Sequence, residues 1–403
     1  MEVPAMMTSE FHGLTLSRLG FGTMRLPLLD ADPAHIDVEQ TDRMVDHCMA
    51  HGINYFDTAY PYHGGMSETV IGKSLSRYPR ESFYLADKYP GHQISDYYDP
   101  AEIFEEQLEK CGVDYFDFYL LHNVYEHSLP TYLDERWKIL DYFRDQKTKG
   151  RIRYLGFSTH AQTDTLEKIL DQFGSDMDFC QIQLNYLDWT LQEAKEKYEL
   201  LTSRGIPVWV MEPVRGGKLA ALPEEDHKKL LSLRPDETDT AWALRFLQGL
   251  PNVKVVLSGM SSMQQMIENV ETFETERPLS EEEKNVLLEV AEGMKNSIPC
   301  TACRYCCEGC PMQLDIPMLI ATMNEIRVSP NMNAGMRIEG LPDDKKPSAC
   351  IGCGRCSMVC PQNIDIPGVM DELTEALKKI PSWRELSLKR AEEARLNREK
   401  KAK

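Results

Sequence analysis

The sequence predicts a TIM (β/α)8 barrel followed by a small, mostly helical domain organised around cysteines, and three observations predict it. Over about 270 residues, eight short β-rich runs alternate with amphipathic helical stretches, the count of such a barrel. Several of these runs end on a polar residue after an apolar stretch, as strands do where their carboxyl ends form a functional rim. Behind them, one cysteine phrase occurs twice, at residues 300–311 and 350–361.

The strand runs are Leu19–Gly22, Asn54–Asp57, Phe83–Lys88, Phe116–His122, Ile152–Ser158, Phe179–Gln183, Pro207–Met211 and Val253–Ser258. Helical patterns follow, among them Gln40–Ala50, Ala101–Cys111, Arg136–Lys149, Asp164–Phe173, Leu191–Ser203, Asp239–Gln248 and Ser262–Thr272. Most are introduced by Ser, Thr, Asp or Pro and several are closed by Gly. A doubly wound sheet is the alternative, but its G-x-G-x-x-G phosphate turn is missing. Gly20-Phe21-Gly22 is followed by Arg25 where the third glycine would stand. The barrel is expected over residues 1–279 and a connecting helix over 280–297, with Ser280 as its cap and Glu283 in capping-box position.

The first cysteine run is Cys300-x2-Cys303-x2-Cys306-x3-Cys310-Pro311, and the second is Cys350-x2-Cys353-x2-Cys356-x3-Cys360-Pro361. Such a run, closed by proline, is the bacterial iron–sulfur phrase, in which the fourth cysteine of one run ligates the other cluster. Two [4Fe-4S] clusters follow from that rule. One takes Cys300, Cys303, Cys306 and Cys360; the other takes Cys350, Cys353, Cys356 and Cys310. Zinc favours paired CxxC units with a longer gap, and disulfides need an oxidising compartment. No signal peptide is visible at the N-terminus, so a cytoplasmic setting is expected. Cys307 lies outside the repeat, and Cys48, Cys111 and Cys180 read as small buried hydrophobes.

Asp315-Ile316-Pro317 and Asp365-Ile366-Pro367 stand at the same offset behind each run, ahead of helical patterns over Ile316–Ile326 and Pro367–Lys379. This repeat resembles the helical two-cluster ferredoxin domain of several multidomain oxidoreductases. It is expected over 298–380, serving electron transfer or structure. A charged helix or tail rich in Lys, Arg, Glu and Ala is expected over 381–403.

The formal net charge is -19, and residues 300–403 hold 16 Lys and Arg against 14 Asp and Glu, so the acidity belongs to the barrel. Such a body repels phosphate backbones, which argues against nucleic acid as a partner. The longest apolar runs are strand-sized, so no membrane span is expected.

Asp57, Lys88, His122, Ser158, Gln183 and Ser258 fall at strand ends and would converge on one rim. Around them the chain resembles the aldo-keto reductase family over roughly residues 10–275. Asp57-Thr58-Ala59-Tyr60-Pro61-Tyr62 is similar to the family's strand-two phrase, and Gly65-Met66-Ser67-Glu68 to its next element. Phe83 to Lys88 resembles the strand ending in the catalytic lysine, and Asp117 to His122 the strand ending in the active-site histidine. Gly156-Phe157-Ser158 and Gln183-Leu184-Asn185-Tyr186 follow in the family's order.

The resemblance implies an NAD(P)H-dependent oxidoreductase acting on a small carbonyl or alcohol. Tyr62 would be the general acid, Lys88 and Asp57 would tune it, and His122 would orient the carbonyl. The chemistry is sound: a free tyrosine, with a pKa of about 10, is a poor donor near neutrality, and a neighbouring ammonium stabilises the phenolate. It also implies that Ser158 and Gln183 bond the nicotinamide carboxamide, beside backbone at Gly22, Thr23 and Met24. Met211 would pack on the ring where an aromatic is usual, and Thr159 replaces the usual asparagine. Ser258, Gly259, Met260, Gln265, Glu268 and Asn269 would form the adenosine site. The family's preference implies NADP, while Gln265 stands where an arginine often clamps the 2′-phosphate and so pulls toward NAD. His63 and His160 lie in rim loops, as pocket residues or as exposed loop histidines.

Two other classes remain. One is an electron-transfer or interaction protein with a silent barrel, served by a redox partner; intact Asp57, Tyr62, Lys88 and His122 argue against it. The other is a metal-dependent hydrolase, which needs His and carboxylate ligands where Lys88 and Gln183 stand.

Overall fold

The computed structural model describes residues 5–93, 95, 97–294, 297–328 and 332–382, and the chain forms two compact units, Met1–Lys295 and Asn296–Lys403. The first unit opens with a hairpin, β1 (Thr8–Phe11) and β2 (Leu14–Ser17). Eight parallel strands then close a barrel in chain order. They are β3 (Leu19–Gly22), β4 (Tyr55–Asp57), β5 (Tyr84–Tyr89), β6 (Phe116–Leu121), β7 (Ile152–Thr159), β8 (Phe179–Gln183), β9 (Val208–Met211) and β10 (Val253–Gly259), with β10 returning to pair with β3. All eight coincide with the strands read from sequence to within one residue at each end.

The barrel interior is packed by Tyr55, Ala86, Phe118, Leu120, Phe179, Trp209, Val255 and Leu257, every one 5 % exposed or less. Phe11 and Leu16 of the hairpin join this cluster and plug the end opposite the rim, with the Phe11 ring 5.0 Å from both Tyr154 and Trp209. The hairpin is a finding beyond the sequence reading. Its turn is the pair His12–Gly13, with φ of 48° and 80°, the left-handed geometry of a two-residue hairpin loop.

The helix expected to connect the domains spans Glu281–Met294 and belongs to the first unit. Leu287, Val290 and Ala291 are buried in the main core. Its N-terminus carries the capping box: Ser280 N donates to Glu283 Oε2 at 2.7 Å and Glu283 N to Ser280 Oγ at 3.2 Å. Arg234 then holds Glu283 from the helix Glu224–Leu233 side, at 2.6 Å.

The second unit is a structural repeat with an offset of fifty residues. One-turn helices at Tyr305–Glu308 and Arg355–Met358 precede longer ones at Ile316–Val328 and Ile366–Leu377. Left-handed backbone recurs at matching places: Ala302 with Gly352, Arg304 with Gly354, and Gln313 with Asn363. Leu319, Ile320 and Met323 of one long helix share a buried core with Val369, Met370 and Leu373 of the other. The charged tail expected over 381–403 lies outside the described residues beyond 382. Among the described residues no helix is long and apolar enough to cross a membrane.

Candidate active site and candidate metal centres

At the rim, strands β4, β5 and β6 deliver Asp57, Lys88 and the residue after β6, His122, and the loop after β4 brings Tyr62. Lys88 is fully buried, and its Nζ donates to Asp57 Oδ1 at 2.6 Å, to Thr58 O at 2.5 Å and to the Tyr62 hydroxyl at 3.4 Å. The ammonium also lies 4.9 Å from the Tyr62 ring centroid. Tyr62 meets the His122 ring edge-on at 5.9 Å. Burial drives the Asp57 carboxyl upward, against the pull of Lys88. Burial likewise holds the His122 imidazole well below its ordinary pKa, helped by His92 and Lys88.

His92, absent from the sequence reading, packs edge-on against His122 at 4.3 Å and is itself pushed down to about 4 by burial. His160 is a rim residue too, its imidazole held down by burial and by Lys197 while Gln183 hydrogen-bonds it. His63 plays another part. Its Nε2 accepts from Leu26 N at 3.1 Å and its Nδ1 donates to Pro33 O at 2.8 Å, so it ties two loops together and is spent as a pocket residue.

The residues expected at the cofactor occupy a second arc of the same rim, at the ends of β7 to β10 and β3. Gln183 pairs in register with Met211, and Gly259 with Gly22. Gln183 Nε2 donates to buried Asp188 at 2.7 Å, and Arg215 Nε holds the same carboxylate at 2.9 Å, which fixes the amide. Ser158 Oγ accepts from Asn123 N at 2.8 Å, and Thr159 Oγ1 donates to Val124 O at 2.6 Å. The Thr23 hydroxyl is turned to Asp57 O at 2.9 Å, leaving Thr23 backbone and half-buried Met24 toward the rim.

At the expected adenosine end, Asn269 Nδ2 donates to Ser258 Oγ at 3.0 Å, and Met260 is buried. Glu268 accepts from Gln264 at 2.8 Å. The Gln265 side chain folds back, its Oε1 accepting from Ser261 N at 2.7 Å. Residues 258–269 contain no lysine or arginine.

In the second unit the cysteines ring two cavities. Cys300, Cys303, Cys306 and Cys360 line one, with Thr301, Ile320 and Ile364; Cys310, Cys350, Cys353 and Cys356 line the other, with Met312, Ile351 and Met370. Each cavity thus draws three cysteines from one run and the fourth from its repeat. Cys307 lines neither, and no cysteine of the chain is in a disulfide. Among the described residues no three Cys, His or carboxylate groups converge as ligands of a single ion. Thiols spread around an apolar hollow instead fit a multi-atom cluster, and the donor set is the all-thiolate one of [4Fe-4S] chemistry.

Comparison with known proteins agrees with this geometry. Residues 18–292 match the model of the aldo/keto reductase family, and residues 299–364 that of a 4Fe-4S dicluster domain. The NADH-specific methylglyoxal reductase of Escherichia coli (strain K12) is 27% identical over 231 residues, covering 53% of this chain and 68% of that protein. L-galactose dehydrogenase of Arabidopsis thaliana is 28% identical over 282 residues, covering 64% of this chain and 84% of its own. Among solved structures, the holo form of aldo-keto reductase AKR11C1 from Bacillus halodurans superposes with a TM-score of 0.58 at 28% identity, covering 71% of this chain and 96% of that one. The protein is an NAD(P)-dependent oxidoreductase built on a (β/α)8 barrel. The chain belongs to the aldo/keto reductase family and carries a 4Fe-4S dicluster domain behind the barrel.

Proposed function

We propose that the barrel reduces a small, uncharged, oxygen-rich carbonyl compound, with Tyr62 as the acid, and that two [4Fe-4S] clusters occupy the cysteine cavities. One observation carries the catalytic reading: the Tyr62 hydroxyl stands 3.4 Å from a buried ammonium, Lys88, that is itself tied to Asp57 at 2.6 Å. Reduction requires a proton at the carbonyl oxygen. The Tyr62 O–H passes that proton over, and the phenolate left behind faces the Lys88 charge. His122 donates an N–H to the same oxygen, where negative charge develops. Ser158 and Gln183, beside the backbone at Gly22 and Thr23, would hold a nicotinamide, which when bound and reduced would supply the hydride. In the opposite direction Tyr62 takes the alcohol's proton.

The buried imidazoles of His92, His122 and His160, whose charged forms burial disfavours, support this substrate class, since they offer hydrogen bonds rather than a counter-ion. The relative that reduces methylglyoxal supports the same class. For the cofactor, the folded-back Gln265 and the lack of a cation over residues 258–269 support NADH over NADPH, against the family habit. The clusters serve a separate redox partner or the fold of their own unit.

An anaerobic screen of aldehydes, ketones and sugars with both cofactors, run beside Tyr62→Phe, tests the reading. Turnover in the variant should fall by about 10²-fold or more with cofactor affinity unchanged. Near-parental turnover would overturn it.

A further inference from the structure

The backbone of Lys88 lies beyond the reach of its neighbouring strand. β4 stops at Asp57, whose partner on β5 is Ala86, and Thr58 N takes the Ala86 carbonyl at 3.0 Å. Two residues further along the same edge, Lys88 has no β4 residue opposite it. Lys88 is in register with Leu120 of β6 on its other side, but toward β4 its buried N–H and C=O need other partners. Side chains supply them: Asp87 Oδ1 accepts the Lys88 N–H at 2.8 Å, and Gln107 Nε2 donates to the Lys88 carbonyl at 3.1 Å.

We infer that Asp87 and Gln107 are positioning residues for Lys88, clasping its peptide from outside the barrel where the adjacent strand ends. The inference rests on the proposed role of Lys88.

The clasp is itself over-determined. The second N–H of Gln107 goes to Glu68 Oε1 at 3.0 Å, and its Oε1 accepts from the Tyr119 hydroxyl at 2.5 Å, so the amide has one orientation. Glu68, Asp87 and Gln107 are all 0 % exposed. Lys110 reaches Glu68 at 3.2 Å, and Cys111 Sγ donates to Asp87 Oδ2 at 3.8 Å. Helix Ser67–Leu75 delivers Glu68 because it nearly touches helix Pro100–Cys111 at Gly72, where a Cβ would collide with the Cys111 carbonyl. Burial raises both carboxyls; Glu68 pushes Asp87 further up, while Lys110 and the hydrogen bonds from Gln107 and Asp87 pull Glu68 back down. Glu68, Asp87, Gln107 and Tyr119 thus form a dry, cross-linked network, a rigid mount. The mount matters because the Lys88–Tyr62 contact, at 3.4 Å, is already long, and a small drift of the peptide would break it.

Asp87→Leu and Gln107→Leu remove the clasp, while Asp87→Asn keeps an oxygen for the Lys88 N–H and can donate to Glu68. Two readouts apply: turnover of methylglyoxal with NADH, and the pH at which Tyr62 ionises. The second is read from ultraviolet tyrosinate absorbance as a difference against Tyr62→Phe, and needs no substrate. The leucine variants should lose about ten- to a hundredfold in kcat with KM for NADH unchanged, and Tyr62 should ionise at higher pH. Asp87→Asn should match the parent in both. Folded leucine variants with the parental Tyr62 titration would overturn the inference. Should they fail to fold, Tyr119→Phe frees the Gln107 amide alone, and an unmoved titration in it overturns the inference equally. Lys88→Met separates the two ideas. Parental turnover in Lys88→Met sinks the role of Lys88, whereas loss there beside normal leucine variants sinks only the clasp.

Discussion

Lys88 and Asp57 form an ion pair 2.6 Å long with 0 % and 4 % of their side chains exposed. Asp57 Oδ2 takes no hydrogen bond among the described residues, so the carboxylate leans on this one contact and its surroundings. Removing one member of such a pair strands the other in a dry site. Asp57→Asn should destabilise the barrel by about 3–5 kcal/mol and lower turnover as Lys88 loses its tether. Denaturant unfolding followed by tryptophan fluorescence measures the first effect; an unchanged midpoint would contradict it.

Acid should weaken the barrel through its histidines. His92 is held down to about 4 and His122 well below 6.5, so the unfolded chain binds protons before the folded one does. Stability is then full above the ordinary histidine pKa and falls as pH drops from about 6.5 toward about 4. His92→Asn should flatten that slope. Imidazole resonances of His92 that titrate near neutrality in the folded protein would refute the sign.

Cofactor choice should turn on one side chain. Gln265→Arg would place a guanidinium where Gln265 now bonds Ser261 N at 2.7 Å. NADPH affinity relative to NADH should rise about tenfold or more, measured by titrating each reduced cofactor against protein fluorescence. A parent that already binds NADPH more tightly would reverse the cofactor reading.

The cysteine cavities make a prediction about pairs. The anaerobically reconstituted protein should be brown with about eight iron atoms. Cys360→Ser should perturb the same spin signal as Cys303→Ser, although Cys360 belongs to the other run, because both line one cavity. Matching instead with Cys356→Ser would place the ligands by run rather than by cavity.

Electrons should not pass directly from nicotinamide to iron. Nicotinamide gives two electrons as a hydride and a cluster takes one, and nothing in the barrel motifs supplies a flavin between them. Oxidised protein mixed anaerobically with NADH should keep its cluster absorbance over many barrel turnovers. Stoichiometric bleaching within one turnover, without flavin, would show the opposite.

What was legible in the sequence is what repeats or alternates. Buried parallel strands such as Phe116–Leu121 are continuous apolar runs, and their polar last residues announced the rim that holds Asp57, Lys88 and His122. The fifty-residue repeat announced the cysteine-bearing unit. The hairpin Thr8–Ser17 was not legible, because its strands are four residues each and only Phe11 and Leu16 of its hydrophobic residues are buried; the pair His12-Gly13 was its one signal. His92 sits in a loop, where no periodicity marks a side chain as buried. Asp87, Gln107 and Glu68 look like surface residues in sequence, and only the short β4 and the close helix pair at Gly72 turn them inward.

The barrel is sealed by its first and last strands, β3 with β10, and Met7 N is bonded to Phe273 O at 2.9 Å. A nascent chain therefore leaves the ribosome as an open sheet with two unsatisfied edges, and stays so until the last strand has cleared the exit tunnel. Single-strand edges of that length invite other chains. The first cysteine of the repeat, Cys300, stands about forty residues behind the sealing strand, after the helices Met263–Phe273 and Glu281–Met294, so the strand that closes the exposed edges is made before any of those cysteines. Translation thus sets an order: the closing strand comes first, the repeat cysteines second.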